Sequence, residues 1–215
     1  MASVHCIGIG GVGMNGLARC LLARGWSVSG CDQKAGAAPA LAGAGARLHA
    51  GHDPAHLDPR PDLVVRSAAI RDDHPEIVAA RRAGIEVVKY AEMLGRLMAG
   101  REGIAVAGCH GKTTTSGWIA WLLDRAGLDP GFVIGGVLPQ LGTGGRNGTG
   151  RHFVAEACEY DRSFHHLRPR IAVITNIEED HLDYYRSLDE IRTAFAEFAG
   201  HLPPDGFLVL NADDA

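Results

Sequence analysis

An α/β fold, with parallel strands covered by helices, is what the sequence predicts. Short apolar runs alternate in strict order with Ala/Leu-rich helical stretches. Strands that recur in this way pair in parallel through right-handed crossovers. In each half of the chain one such run enters a Gly-rich turn that opens a helix. Aromatic residues make up only 6% of the 215, so the core must be aliphatic. The 29 glycines are neither collagen-periodic nor gathered in a linker. Their short fixed spacings suit loops in which backbone approaches a ligand closely.

Taken in order, residues 4–9 read as a buried strand, 13–24 as a helix and 27–30 as a second strand. A third strand is expected at 62–65, a helix at 75–83, a fourth strand at 86–88 and a helix at 91–98. Residues 33–60 resist assignment, because 36–51 is nearly all Ala and Gly and 53–61 is rich in Pro, Asp and His. A polar break at 100–103 precedes a second unit. It holds a strand at 104–107, a helix ending near Ala126, a Gly-rich flexible loop at 135–150, and strands at 153–157 and 171–175. An amphipathic helix at 188–198 and a last strand at 207–210 complete it. Two domains are therefore expected, residues 1–99 and 103–215.

Composition narrows the function. The balance of 21 Lys+Arg against 25 Asp+Glu gives a net charge of −4 with no basic block. A binder that displaces counterions from nucleic acid needs the opposite. Five cysteines, an odd number without a CxxC pair, argue against a disulfide framework or a structural zinc site and fit a reducing compartment. The first ten residues lack a basic segment ahead of the apolar run, and no apolar run reaches the ~18 residues of a membrane span. The expected location is cytoplasmic, with neither nucleic acid nor membrane as partner. On oligomeric state the sequence is silent.

Two glycine motifs carry the chemistry. Gly8-Ile-Gly10-Gly11-Val12-Gly13 contains G-x-G-x-x-G between a strand and a helix. There the amides and dipole of the helix N-terminus favour an anion. Asp32 ends the second strand, where a dinucleotide-binding domain keeps its ribose-binding acid. The pattern points to a nucleotide diphosphate, with NAD as one candidate. Gly108-Cys109-His110-Gly111-Lys112-Thr113-Thr114-Thr115 likewise joins a strand to a helix. In a phosphate-binding loop of this kind backbone amides cradle phosphates, Lys112 contacts the β/γ oxygens and the Thr113 hydroxyl ligates Mg²⁺. The match to G-x-x-x-x-G-K-[ST] is imperfect, since Val106 stands five before Gly111.

Downstream, Glu156 ends a strand, with Glu159 and Asp161 close behind, and Asn176 to Asp183 with His181 follow the next. Ligands of open α/β sheets bind at the carboxyl ends of strands, so these groups are expected to converge on the second loop. Taken singly, Glu156 or His181 reads as a surface or structural residue; beside a phosphate loop they read as ligands. Other features read as ordinary structure. His165 and His166 are expected at the surface, Trp118 and Trp121 in the core, and Cys6, Cys20 and Cys31 as small buried apolar residues. Cys109, at a helix N-terminus, is expected to have a lowered thiol pKa without being a nucleophile.

In this order the motifs resemble those of the Mur ligases, ATP-dependent amide-forming enzymes of peptidoglycan precursor synthesis. The resemblance rests on residues 8–14, Val28-Ser-Gly-Cys-Asp32, Ser67-Ala-Ala-Ile70 and Gly108 to Thr115. Glu156-Ala-Cys-Glu-Tyr-Asp161 and Thr175-Asn-Ile-Glu-Glu-Asp-His-Leu-Asp183 extend it over the whole chain. It implies a Rossmann-like parallel-sheet N-terminal domain followed by part of a P-loop-type α/β ATPase domain. Gly8, Gly10, Gly11, Val12, Gly13, Met14, Asp32 and Ser67 would then hold the UDP part of UDP-N-acetylmuramic acid, not NAD. Gly108, Cys109, His110, Gly111, Lys112, Thr113 and Thr114 would hold ATP. Thr113 and Glu156 would bind a first Mg²⁺ and His181 a second, with Asn176 and Asp180 lining the same pocket. Lys112, Glu156 and His181 would be the catalytic set. The implied reaction phosphorylates the muramoyl carboxylate, and the amine of L-alanine then attacks the acyl phosphate.

The chain departs from the family in two motifs. Cys109 replaces the usual Thr, and Cys158 and Tyr160 replace the Asp and Ser of Glu-Ala-Asp-Glu-Ser-Asp. Because Glu156 is kept, Mg²⁺ binding is expected to survive. Family members have three domains, so these 215 residues are expected to be the N-terminal part of a longer ligase and to be inactive alone. Three other readings stay open. Glu159-Tyr160-Asp161 leans toward the family member that attaches a whole tripeptide to the same sugar nucleotide. The others are a non-catalytic UDP-sugar-binding module and an NAD-dependent oxidoreductase.

Overall fold

Buried apolar runs joined by Gly-rich turns and helices give parallel pairing, and the chain forms two such sheets. The computed structural model describes residues 1–34 and 38–213. In the first sheet the strands are β1 (Ser3–Ile7), β2 (Ser27–Asp32), β3 (Arg47–Ala50), β4 (Leu63–Arg66) and β5 (Glu86–Lys89). Their order is β3-β2-β1-β4-β5, every pair parallel. The helices α1 (Val12–Ala23), α2 (Pro39–Gly43), α3 (Pro75–Arg82) and α4 (Tyr90–Met98) belong to this half. Ile7 and Cys31 pack with Ile77 and Ala80 of α3, whereas Val4, Cys6 and Val28 join the core that holds Leu17 and Leu21 of α1.

The second sheet contains β6 (Glu102–Ala107), β7 (Gly131–Leu138), β8 (Thr143–Arg146), β9 (His152–Glu156), β10 (Ile171–Ile174) and β11 (Phe207–Leu210). The order is β11-β10-β6-β9-β7-β8, parallel except for the antiparallel β7–β8 pair. The long helices of this half are α5 (Lys112–Arg125) and α6 (Leu188–Ala199). The α/β class and parallel pairing are as expected.

Three readings need correction. Residues 135–150 are no free loop: β7 runs to Leu138 and β8 follows, forming a hairpin. Its glycines serve close packing. A Cβ on Gly16 of α1 would lie 2.9 Å from the Gly144 carbonyl oxygen, and one on Gly145 would run into the Gly16 backbone. So α1, from the first half, docks on a hairpin of the second. Trp118 is 60% exposed rather than core, because α5 turns Ser116, Gly117 and Ala120 inward. His166 is exposed as expected, but His165 is only partly so: it stacks on Phe164 with centroids 4.7 Å apart and bonds the Ala194 carbonyl at 2.9 Å.

The unassigned stretch holds α2, β3 and a 3₁₀ turn at Pro54–Leu57; residues 35–37 of the Ala/Gly run lie outside the described residues, as do 214 and 215 of the C-terminal Asn-Ala-Asp-Asp-Ala. Cys6, Cys20 and Cys31 are fully buried, as expected. No described helix is long and apolar enough to cross a membrane.

Candidate functional site

Each sheet has a point where the strand order reverses, and each Gly motif lies there. In the first sheet the chain leaves β1 for β2 and β3 on one side, then returns to β4 on the other. In the second, β6 is flanked by β9 and β10. Such reversals open a crevice at the carboxyl ends of the strands. Helices α1 and α5 start in these crevices from Gly11 and Gly111, neither with a side-chain cap nor an acidic residue in the first turn. By contrast α6 is capped by Ser187 and carries Asp189 and Glu190 in its first turn. An uncapped first turn leaves N–H donors and the positive dipole end for an anion.

The first loop is held by its own strands. Gly8 (φ +84°) turns away from β1, and the Cys31 carbonyl accepts the Gly8 and Ile9 amides at 2.9 and 3.1 Å. A Cβ on Gly8 would sit 3.3 Å from Ser67 Oγ, which places Ser67 beside the turn. Gly13 is needed because Tyr90 fills the space beneath it, its hydroxyl 2.9 Å from where a Cβ would be. Asp32 accepts the Gly10 amide at 3.0 Å and the Lys34 amide at 3.1 Å. In this structure its carboxylate therefore organises the loop. Val12 is exposed at the helix start, while Met14 points into the core at 3% exposure.

The second loop turns on Gly108 (φ +129°) and Gly111 (φ +84°). A side chain on Gly108 would collide with Thr175. Asn176 clamps the loop: its Oδ1 accepts the His110 amide at 2.8 Å, its carbonyl accepts the Cys109 amide at 3.2 Å, and its Nδ2 donates to the His110 carbonyl at 3.1 Å. Those two amides are thereby taken, and the donors left toward the crevice come from the first turn of α5, including Thr114. The His110 side chain lies 3.8 Å from Glu178.

Lys112 Nζ donates to the Gly108 carbonyl at 2.5 Å and to both Glu159 oxygens at 2.9 and 3.0 Å. Glu159 is 1% exposed, its carbonyl accepts the Tyr185 hydroxyl at 2.5 Å, and its carboxylate is 3.6 Å from His181 Nε2. His181 (φ +54°), Asp161 (φ +49°) and Arg162 (φ +56°) all occupy the left-handed region, a cost of order 1–3 kcal/mol each that surrounding contacts must offset. Thr113 Oγ1 is 3.2 Å from Glu156 Oε2, and Glu156 Oε1 accepts the Gly135 amide and the Ser116 hydroxyl, the latter at 3.3 Å.

The structure thus brings Lys112, Glu159 and His181 together and pairs Thr113 with Glu156. Glu159, expected near the second loop but given no place in the catalytic or metal set, is the member that holds Lys112. The Cys109 thiol is pushed up, not down. Burial is the main cause; the hydrogen bond from the Glu178 amide and the Lys112 charge pull the other way, and the charges of Glu159 and Asp180 add to burial.

Residues 3–102 match the Mur ligase family, catalytic domain, and residues 106–215 match the Mur ligase middle domain. The chain belongs to the Mur ligase family. A UDP-N-acetylmuramate--L-alanine ligase from Salinispora arenicola is 50% identical over 218 residues, spanning 100% of this chain and 42% of its own length. One from Methylobacillus flagellatus is 51% identical over 213 residues, spanning 98% and 45%. The chain therefore spans less than half the length of these curated relatives.

Among solved structures, the Neisseria meningitides UDP-N-acetylmuramate:L-alanyl-gamma-D-glutamyl-meso-diaminopimelate ligase superposes with a TM-score of 0.90 at 34% identity, covering 100% of this chain and 72% of that one. The UDP-N-acetylmuramate-alanine ligase from Thermotoga maritima gives 0.86 at 30% identity, covering 100% and 50%.

Proposed function

We propose that the chain provides the sugar-nucleotide-binding and ATP-binding parts of a ligase that joins L-alanine to the carboxylate of UDP-N-acetylmuramic acid. In this reading residues 1–99 take the UDP-sugar at the first loop and residues 103–215 take Mg·ATP at the second. The observation that carries it is the pair of uncapped helix N-termini, one at each strand-order reversal. Family membership supports two nucleotide loops in one chain, which an NAD-dependent oxidoreductase would not need. Relatives near 50% identity are named for alanine, whereas the tripeptide-named neighbour is 34% identical, which favours alanine as acceptor.

The residues present fit a magnesium nucleotide. Thr113 and Glu156 offer two hard oxygens 3.2 Å apart, at the start of a helix whose first turn carries neither a side-chain cap nor an acidic residue. When bound, Mg²⁺ supplies charge neutralisation on phosphate oxygens. Lys112 sets a cation at the loop mouth, where charge develops on oxygen during phosphoryl and acyl transfer. Buried Glu159 holds both Lys112 and His181 in place, and Asn176 fixes the loop backbone. His181 would complete the metal-binding set.

Isothermal titration of the 215-residue chain tests the proposal. UDP-N-acetylmuramic acid and Mg·ATP should each bind at one site. Lys112→Met should abolish the ATP heat alone, and Gly11→Val the UDP-sugar heat alone. Absence of both heats in the folded chain, or NADH competing with the UDP-sugar, overturns the reading.

A further inference from the structure

On the face of the first sheet covered by α3 lies a cluster with no part in the proposed chemistry. His5 on β1, Cys31 on β2 and Glu76 on α3 are fully buried, and their ligand atoms lie within 4.8 Å of one another. His5 Nε2 and Cys31 Sγ are each 3.0 Å from Glu76 Oε2. His52, just after β3, brings Nδ1 to 3.2 Å from the same Sγ and 4.0 Å from Glu76 Oε1. Neighbouring ligand atoms on a tetrahedral zinc ion stand about 3.3–3.7 Å apart. His5, Cys31 and Glu76 come close to that spacing, and His52 approaches the same place from the Cys31 side.

Their surroundings are those of a ligand set. His5 Nδ1 is 2.9 Å from Ser29 Oγ, which is in turn 3.4 Å from the Val4 carbonyl oxygen. Without an ion, Nε2–H to Glu76 satisfies the ring; with one, the ring turns to Nδ1–H toward Ser29, whose hydroxyl passes to Val4, and Nε2 offers its lone pair to the cation. Glu76 Oε1 is steered by the Asp53 amide at 2.9 Å and by His56 Nδ1 at 3.0 Å. Outside these groups His49 stacks on His56 at 4.3 Å and His74 meets His52 edge-on at 4.5 Å. Among the described residues four buried side-chain polar atoms lack a partner, and three of them belong to His49 and His74. His52 and His56, with side chains 16% and 15% exposed, give a way in from solvent.

We infer that His5, Cys31, His52 and Glu76 form a binding site for one borderline-soft divalent cation, of which Zn²⁺ is the type. One thiol, two imidazoles and a carboxylate suit zinc or cobalt and not magnesium. On binding, Cys31 gives its thiol proton to solvent, His5 and His52 coordinate as neutral imidazoles, and the ion replaces the hydrogen bonds on Glu76 Oε2. A cysteine-spacing pattern does not register a site of this kind, because its ligands come from segments distant in sequence. The site has a positioning role: the Cys31 carbonyl holds the Gly8 and Ile9 amides, so an ion on its thiol fixes the strand end that carries the first loop.

The test uses the 215-residue chain with Cys109→Ser and Cys158→Ser, since Cys109 belongs to a second cluster with Glu159 and Asp180. After exposure to Zn²⁺ and dialysis, elemental analysis should find one zinc per chain, and zinc but not Mg²⁺ should raise the melting temperature. Co²⁺ should give a thiolate charge-transfer band with tetrahedral visible bands, and further Cys31→Ser substitution should abolish the charge-transfer band. A missing band, or one that survives Cys31→Ser, overturns the site. Should that variant not fold, zinc-edge X-ray absorption on the chain retaining Cys31 decides. One sulfur neighbour at about 2.3 Å is expected, and a shell of nitrogen and oxygen alone overturns the proposal.

Discussion

Glu159, 1% exposed, faces Lys112, 18% exposed, across 2.9 Å at the second loop. Breaking a buried pair from one side leaves an uncompensated charge, whereas removing both partners does not. Lys112→Met should therefore cost roughly 3 kcal/mol of stability. Adding Glu159→Gln should recover much of that, as read from urea midpoints in a double-mutant cycle. Equal loss in the single and double variants would contradict the pairing. At His201, burial, then the Arg168 guanidinium donating to Nδ1 at 3.0 Å, hold the imidazole below its ordinary 6.5. A histidine kept neutral in the fold contributes stability that is fully present above pH 6.5 and is lost as pH falls toward its lowered value. Thermal melts of the chain should decline on acidification below that point. His201→Asn, which keeps an acceptor near Nδ1, should flatten the decline.

At the scale of elements, the β7–β8 hairpin shows what sequence reading can and cannot supply. Strands such as β1, β4 and β6 were legible because each is dominated by buried apolar residues, and α1 and α5 because a Gly-rich turn precedes each. The hairpin was hidden because Gly135, Gly136, Gly144 and Gly145 look like loop residues until α1 is seen lying on Gly144 and Gly145, with Glu156 against Gly135 and Thr113 against Gly136. The stretch holding α2 and β3 was hidden because Ala and Gly carry neither period. Both loop motifs could be read locally. The contact of Glu159 with Lys112 could not, since it joins residues from separate strand ends. Gly145→Val should force α1 off the hairpin and destabilise the chain by about 1–3 kcal/mol. Gly43→Ala, in the last turn of α2 with open space around it, should be neutral or stabilising by up to ~1 kcal/mol. Calorimetric melts compare the two, and reversed signs would refute the packing argument.

Over the whole molecule, the second sheet ends in an edge strand that is apolar on both faces. Phe207, Leu208, Val209 and Leu210 of β11 are 62, 40, 49 and 57% exposed. An open, hydrophobic edge of this kind invites pairing with another chain. The 215-residue chain should show concentration-dependent association in sedimentation velocity, and Val209→Lys should lower it without shifting the melting temperature by more than about 2 °C. A strictly monomeric chain at high concentration would show that the edge is protected. The docking of α1 has a further consequence. One end of this helix forms the first loop's anion-facing terminus, and its Gly16 face rests on the β7–β8 hairpin. Strand β7 in turn supplies the Gly135 amide that grips Glu156. The two crevices therefore share one beam: a tilt of α1 that widens the first displaces the strand that aims the carboxylate of the second.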